Sequence, residues 1–257
     1  MLATTRYSMP LDKSLDGLVS FLERCSVAFE WWNASKDSDE DLTHYFEQRA
    51  GNVDLAIVVD KVRRLDKEYA THITAYISHE DMARHILGVR FPDPQTHLDE
   101  QLKKGDPECV NKIGGLSCEE TRTHGSVLLL SFAAKYCHFS NPMVYPIYDS
   151  HACAAVKRLN SRLHFTKSWP VDYSDMGDDA YFIWMGDIDA LRRSFVPAWS
   201  LKRLDQALWY LGALLPDSKV DSVSRSCMLH RVRPIPSILG IREDEEGWPC
   251  LQGTHTS

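Results

Sequence analysis

The sequence has no Cys-x-x-Cys pair, and its seven cysteines are scattered at positions 25, 109, 118, 137, 153, 227 and 250. An odd number without paired spacing reads as reduced thiols in a cytoplasmic protein, not as a disulfide framework or a zinc knuckle, and no metal is expected. Long apolar runs are missing too. A membrane span needs roughly 18–20 apolar residues, whereas the densest stretch here, Val127–Leu130 and then Phe132–Ala134, is short and broken by Ser131. Met1–Pro10 lacks the apolar centre of a signal peptide, so no membrane association is expected. Positive charge is also in short supply, with Lys+Arg 29 against Asp+Glu 36 and a net −7 over 257 residues. That excludes a strongly basic nucleic-acid coat protein but leaves room for an enzyme with a local basic groove.

What is present is ample for a core, since 44% of residues are hydrophobic and 10% aromatic, which excludes wholesale disorder. The length fits one large domain or two small lobes. Apolar spacing is mostly helical. Leu15, Leu18, Val19, Leu22, Cys25 and Phe29 mark one face of a helix ending near Trp31–Trp32. The polar stretch Lys36–Asp41 reads as a loop. Leu55, Val58, Val59, Val62 and Leu65 predict a second helix, and shorter ones are expected over His79–Leu87 and Asp106–Ile113, the last with Asp106 as N-cap.

Ser126–Phe139 reads as a buried helix, although Val127–Leu130 alone would suit a strand. Further helices are expected from His151 to about Leu159, over Ala180–Phe195 and over Leu201–Leu215. The fold class is therefore all-α, with residues 1–233 as a single helical domain. Residues 234–257, rich in Pro and Gly and carrying the acidic run Glu243–Glu246, read as a draped or loose tail.

Chemistry concentrates in the middle of the chain. Lys135 lies in the last turns of an apolar helix amid Phe132, Ala133, Ala134 and Tyr136, where an ammonium needs a partner. After the Pro-containing turn Tyr145-Pro146-Ile147-Tyr148, Asp149 stands at the start of the next helix. Free backbone N–H groups there stabilise a carboxylate and keep it charged. Such a fixed anion suits a developing sugar cation as a glycosidic bond breaks, though an Asp at that place also serves simply as a helix cap.

Pro146-Ile147-Tyr148-Asp149-Ser150-His151-Ala152 resembles the Pro-Val-Asp-Thr-His-Val segment of the helix-hairpin-helix DNA glycosylases, the superfamily of endonuclease III and the 8-oxoguanine glycosylases. The resemblance implies a two-lobed helical fold for residues 1–233, with Asp149 as the catalytic carboxylate and Lys135, the only Lys between Lys112 and Asp149, as its basic companion. Tyr145, Tyr148, His138, His151 and Trp32 become candidates for the base pocket, with core packing as the alternative for each. Three features depart from the family pattern. One extra residue separates Pro146 from Asp149, the Leu-Pro-Gly-Val-Gly hairpin is replaced by Ile113-Gly114-Gly115-Leu116, and no cluster of iron–sulfur cysteines is present. Leu204–Gly212 also resembles a late helix of divergent relatives tied to hypermodified bases in phage–bacterium conflict.

The implied activity is excision of a modified nucleobase, glucosylated hydroxymethylcytosine among them, from double-stranded DNA by a monomeric, cofactor-free enzyme. The basic residues Arg192, Arg193, Lys202, Arg203, Arg225, Arg231 and Arg233 are the candidates for tracking the DNA backbone. Two other classes stay open: a non-catalytic helical DNA-binding or interaction module, and a nucleotide-level enzyme acting on hypermodified pyrimidines.

Overall fold

The computed structural model describes residues 13–33, 38–166, 173, 177, 179–215, 218, 220–221, 224, 227–228, 231–232, 241–243 and 249–251. It is mainly helical, as the spacing predicts, with ten α-helices among the described residues. These are α1 (Lys13–Asn33), α2 (Ser38–Gln48), α3 (Leu55–Tyr69), α4 (His79–Gly88), α5 (Leu98–Lys104), α6 (Glu108–Gly114), α7 (Leu130–Ser140), α8 (Ser150–Leu163), α9 (Ala180–Phe195) and α10 (Leu201–Leu214). Strands are minor: β1 (Gly115–Leu116) pairs antiparallel with β2 (Val127–Leu128), and β3 (Ile241–Glu243) pairs with β4 (Pro249–Leu251).

Local chemistry explains where the helices start. Asp54 caps α3 by accepting from the Ala56 and Ile57 N–H groups, and Ser78 caps α4 by accepting from the Asp81 N–H. Ser200 does the same for α10 through the Arg203 N–H. α6 starts one residue later than expected, with Pro107 and not Asp106 at its N-cap, although Asp106 still accepts from the Glu108 N–H at 3.0 Å.

Three further expectations need correction. The polar stretch read as a loop opens α2 at Ser38, because acidic residues are favourable in a first helical turn where the N–H groups are unpaired. The helix read from Ser126 begins only at Leu130, because Val127 and Leu128 pair with Leu116 and Gly115, partners distant in sequence. In the tail, the described residues form a hairpin in the register Ile241–Leu251, Arg242–Cys250, Glu243–Pro249, so this part is paired and not loose.

The helices fall into two packing groups. In one, α7 runs through the middle with α2, α3, α5 and α6 against it, and α4 packs on α3. Every residue of α7 from Phe132 to Phe139 is buried, so the helix is enclosed all round. In the other group, α10 is sandwiched between α1 and α8. The connection from α7 to α8 crosses from the first group to the second, and it carries the turn Tyr145–Asp149.

Candidate functional site

Lys135 and Asp149 converge at that crossing. The Lys135 ammonium lies 3.8 Å from Asp149 Oδ2 and donates to Ser131 Oγ at 2.6 Å, one helical turn back on α7. It also stands 5.5 Å from the centre of the Tyr69 ring. The Lys135 side chain is 4% exposed and that of Asp149 21%, so the carboxylate is the member that reaches towards solvent. Burial pushes the Lys135 ammonium below its ordinary range, against the opposing attraction of Asp149.

Asp149 is held in place by its own helix. It has extended backbone, with φ −142 and ψ 146, and its Oδ1 accepts from the His151 N–H at 2.8 Å. It is therefore both a helix cap and the ion partner of Lys135, leaving Oδ2 as the oxygen turned to the amine. Cys153 follows one turn later on α8. Burial, with the charge of Asp149 adding to it, pushes the Cys153 thiol up to about 12, so it is a neutral neighbour and not a thiolate.

The aromatic residues beside the pair differ from the expected open pocket. Tyr148 packs edge-on against Trp184 and Tyr173, with ring centres 5.7 and 6.1 Å away, and Trp184 and Tyr173 are themselves buried. Tyr145 is fully buried and its hydroxyl donates to the Asp106 carbonyl at 3.0 Å; it belongs to the core and not to a pocket wall. His138 is likewise a core residue, its Nδ1 donating to the Tyr145 carbonyl at 2.7 Å. His151 is half-buried and packs edge-on against Trp209 at 5.2 Å. Trp32 lies within α1, and its side chain falls outside the described residues. Its neighbour Trp31 is exposed and carries the Arg231 guanidinium against its ring.

Of the expected backbone-tracking residues, Arg192, Arg193, Lys202, Arg203 and Arg231 are among the described residues. Arg192 and Arg193, in the last turn of α9, both pair with Asp189, at 3.5 and 2.6 Å. Lys202 and Arg203 open α10, with the Arg203 guanidinium 4.2 Å from the Trp199 ring centre. Arg225 and Arg233 lie outside the described residues.

An open cleft of about 800 Å³ lies elsewhere, between α4 and the α6–β1 corner, lined by Arg84, His85, Arg90, Lys112, Glu119 and Glu120 among others. Its charges are largely satisfied internally, Arg84 by Glu80, Lys112 by Glu108 and His85 by Glu120. Among the described residues, no three His, Cys, Asp or Glu side chains gather as a metal site would require. No helix among them is long and apolar enough to cross a membrane.

The family model HI_0787_N, an N-terminal domain, matches residues 24–144. An uncharacterized protein of Haemophilus influenzae is 32% identical over 163 residues, which cover 63% of this chain and 70% of that protein. The chain belongs to the HI_0787_N family. The matched N-terminal domain contains Lys135 and stops ahead of Asp149, so the two partners fall on opposite sides of its end. No solved structure matches.

Sequence reasoning found the Lys135–Asp149 pair but missed Ser131, Tyr69, Cys153 and Asp205 around it. Ser131 and Cys153 were within reach of spacing alone, since each lies four residues along a helix from a member of the pair. Tyr69 comes from α3 and Asp205 from α10; Asp205 lies in the Leu204–Gly212 stretch that the resemblance marks, but nothing in either segment links it to the pair.

Proposed function

We propose that the protein is a DNA glycosylase that extrudes a modified nucleobase from duplex DNA and cleaves its N-glycosidic bond. The observation that carries this reading is the 3.8 Å approach of Lys135 Nζ to Asp149 Oδ2, from separate helices, on the two residues that the resemblance to helix-hairpin-helix glycosylases singles out. In this reading Asp149, fixed by the His151 N–H, stabilises the positive charge that develops on the sugar as the base departs. Water then adds at the sugar carbon and an abasic site remains. Lys135 acts as a positioned ammonium or, with its basicity lowered by burial, as an amine that attacks the same carbon and displaces the base. Glucosylated hydroxymethylcytosine in phage DNA is one substrate to test, in keeping with an antiviral role.

The test is a panel of duplexes carrying unmodified, deaminated, oxidised or glucosylated bases, scored for abasic sites. Release of one base by the wild-type chain, lost in Asp149→Asn, supports the reading; no release from any duplex refutes it. Borohydride trapping of a covalent DNA adduct separates an amine role for Lys135 from a purely electrostatic one.

A second reading, a helical DNA-binding or interaction module without catalysis, has one observation in its favour. Lys135 is almost wholly enclosed and Tyr148 packs into the Trp184–Tyr173 cluster, whereas the open cleft lies by α4 and α6. Duplex binding without base release in the same panel would select it.

A further inference from the structure

The turn that presents Asp149 is held residue by residue from several elements. His138 on α7 donates to the Tyr145 carbonyl, and the Tyr145 hydroxyl donates to the Asp106 carbonyl. Tyr181 on α9 donates to the Pro146 carbonyl at 2.8 Å. The Ile147 N–H donates to Asp205 Oδ2 on α10 at 3.0 Å, and the His151 N–H donates to Asp149 itself.

Of these anchors Asp205 is the anomalous one. It is only 7% exposed, Ile147 supplies the hydrogen bond to its Oδ2, and its Oδ1 is buried with no hydrogen-bond partner among the described residues. The titratable groups facing it are the Asp149 carboxylate at the head of α8 and the Tyr181 hydroxyl on α9; neither carries positive charge. Among the described residues of α1, the other helix packed on α10, none is a titratable neighbour of Asp205. An ionised carboxylate in such surroundings is strongly disfavoured, because it is stripped of water and set beside a like charge. Burial accordingly pushes the Asp205 carboxyl well above the ordinary carboxylate range, the charge of Asp149 adding to the effect and the Ile147 N–H opposing it.

We propose that Asp205 is a positioning residue for Asp149: through Ile147 it fixes the turn, and by keeping its proton it leaves the negative charge on Asp149, facing Lys135. The functional meaning rests on the reading of Lys135 and Asp149 as the working pair; the physical claim does not. A charge-bearing Asp205 would repel the Asp149 carboxylate that holds the ammonium. A proton-bearing one keeps the acceptor oxygen for Ile147 and removes the repulsion.

The test needs no DNA and uses the whole chain, with aspartate carboxyl carbons and lysine side chains isotopically labelled for NMR. The expected result is one aspartate carboxyl still protonated at pH 7, its resonance absent in Asp205→Asn, and a Lys135 titration that this variant leaves unmoved. Exchange of the Ile147 amide with solvent should quicken by about a hundredfold in Asp205→Ala and stay near wild type in Asp205→Asn, whose amide oxygen still accepts. The proposal is overturned if all aspartates are ionised by pH 6, or if Asp205→Asn lowers the Lys135 titration. Equal Ile147 exchange in the wild type and in a folded Asp205→Ala would also overturn it. Should Asp205→Ala fail to fold, the titrations of wild type and Asp205→Asn still decide. A protein that releases no base from any duplex would refute the glycosylase reading and leave these measurements standing.

Discussion

Gly212 on α10 lies directly against the backbone carbonyl of His151 on α8, so close that a Cβ at position 212 would overlap that oxygen. The contact sets how near the two helices approach, and His151 is the residue whose N–H caps onto Asp149. Backbone on both sides leaves no flexible side chain to move aside. Gly212→Ala should therefore force α8 outward and destabilise the fold by about 2–4 kcal/mol. Urea unfolding measures the loss, and a change within 0.5 kcal/mol, roughly the effect of a neutral surface substitution, would show that the helices separate freely.

Asp149 combines a capping role with an electrostatic one, and two substitutions pull them apart. Asparagine is as good an N-cap as aspartate but leaves the buried Lys135 ammonium without its counter-charge, so Asp149→Asn should cost about 3 kcal/mol through the lost ion pair alone while abolishing base release. Asp149→Ala should lose the cap as well, at a further cost of about 1 kcal/mol. Parallel urea melts and abasic-site assays check both. Equal stability of the two variants would mean that the His151 N–H gains nothing from the side chain.

The legible parts of this protein are those in which a segment's own pattern suffices. α9 and α10 follow from 3.6-residue spacing, and the Lys135–Asp149 approach follows from one buried ammonium in need of a partner. The start of α7 was illegible because Val127 and Leu128 are claimed by β1, whose location in space no local window contains. Tyr145 and His138 looked like site residues by proximity in sequence, yet they spend their polar atoms on backbone carbonyls inside the core. Asp205 and Gly212 lie in a stretch that resemblance marked, but their roles, gripping Ile147 and admitting the His151 carbonyl, exist only once α8 and α10 are packed.

Asp66 gives a pH dependence with a definite sign. Burial alone would raise its carboxyl, but hydrogen bonds from His79 at 2.8 Å, Thr71 at 2.7 Å and the Ile73 N–H at 3.3 Å together hold it below the ordinary value. The folded protein thus binds its proton less readily than the unfolded chain. The resulting stability is present above the unfolded pKa of about 3.9 and is lost as pH falls through the lower folded value. Asp66→Asn should cost about 1–3 kcal/mol at pH 7, and the gap to wild type should narrow below about pH 4. Urea unfolding at pH 7, 5, 4 and 3 tests this, and a gap independent of pH would refute it.

The basic end of α9 makes a prediction that a simple count of positive charges would get wrong. Arg192 and Arg193 share the single carboxylate of Asp189, so together they offer one net positive charge to a phosphate backbone. If that end faces DNA, removing Arg193 lets Arg192 take over Asp189, whereas removing Lys202 at the head of α10 deletes an ammonium outright. Lys202→Ala should lower the slope of log affinity against log salt by about 1, the counterion released per phosphate contact. Asp189→Asn should act in the opposite direction, freeing both guanidinium groups and steepening the slope by a similar amount, about 1. Duplex binding measured between low and moderate salt distinguishes the two signs. A slope unmoved by either substitution would place the DNA elsewhere on the surface, and a loss of affinity in Asp189→Asn would mean that the carboxylate aims the arginines instead of neutralising them.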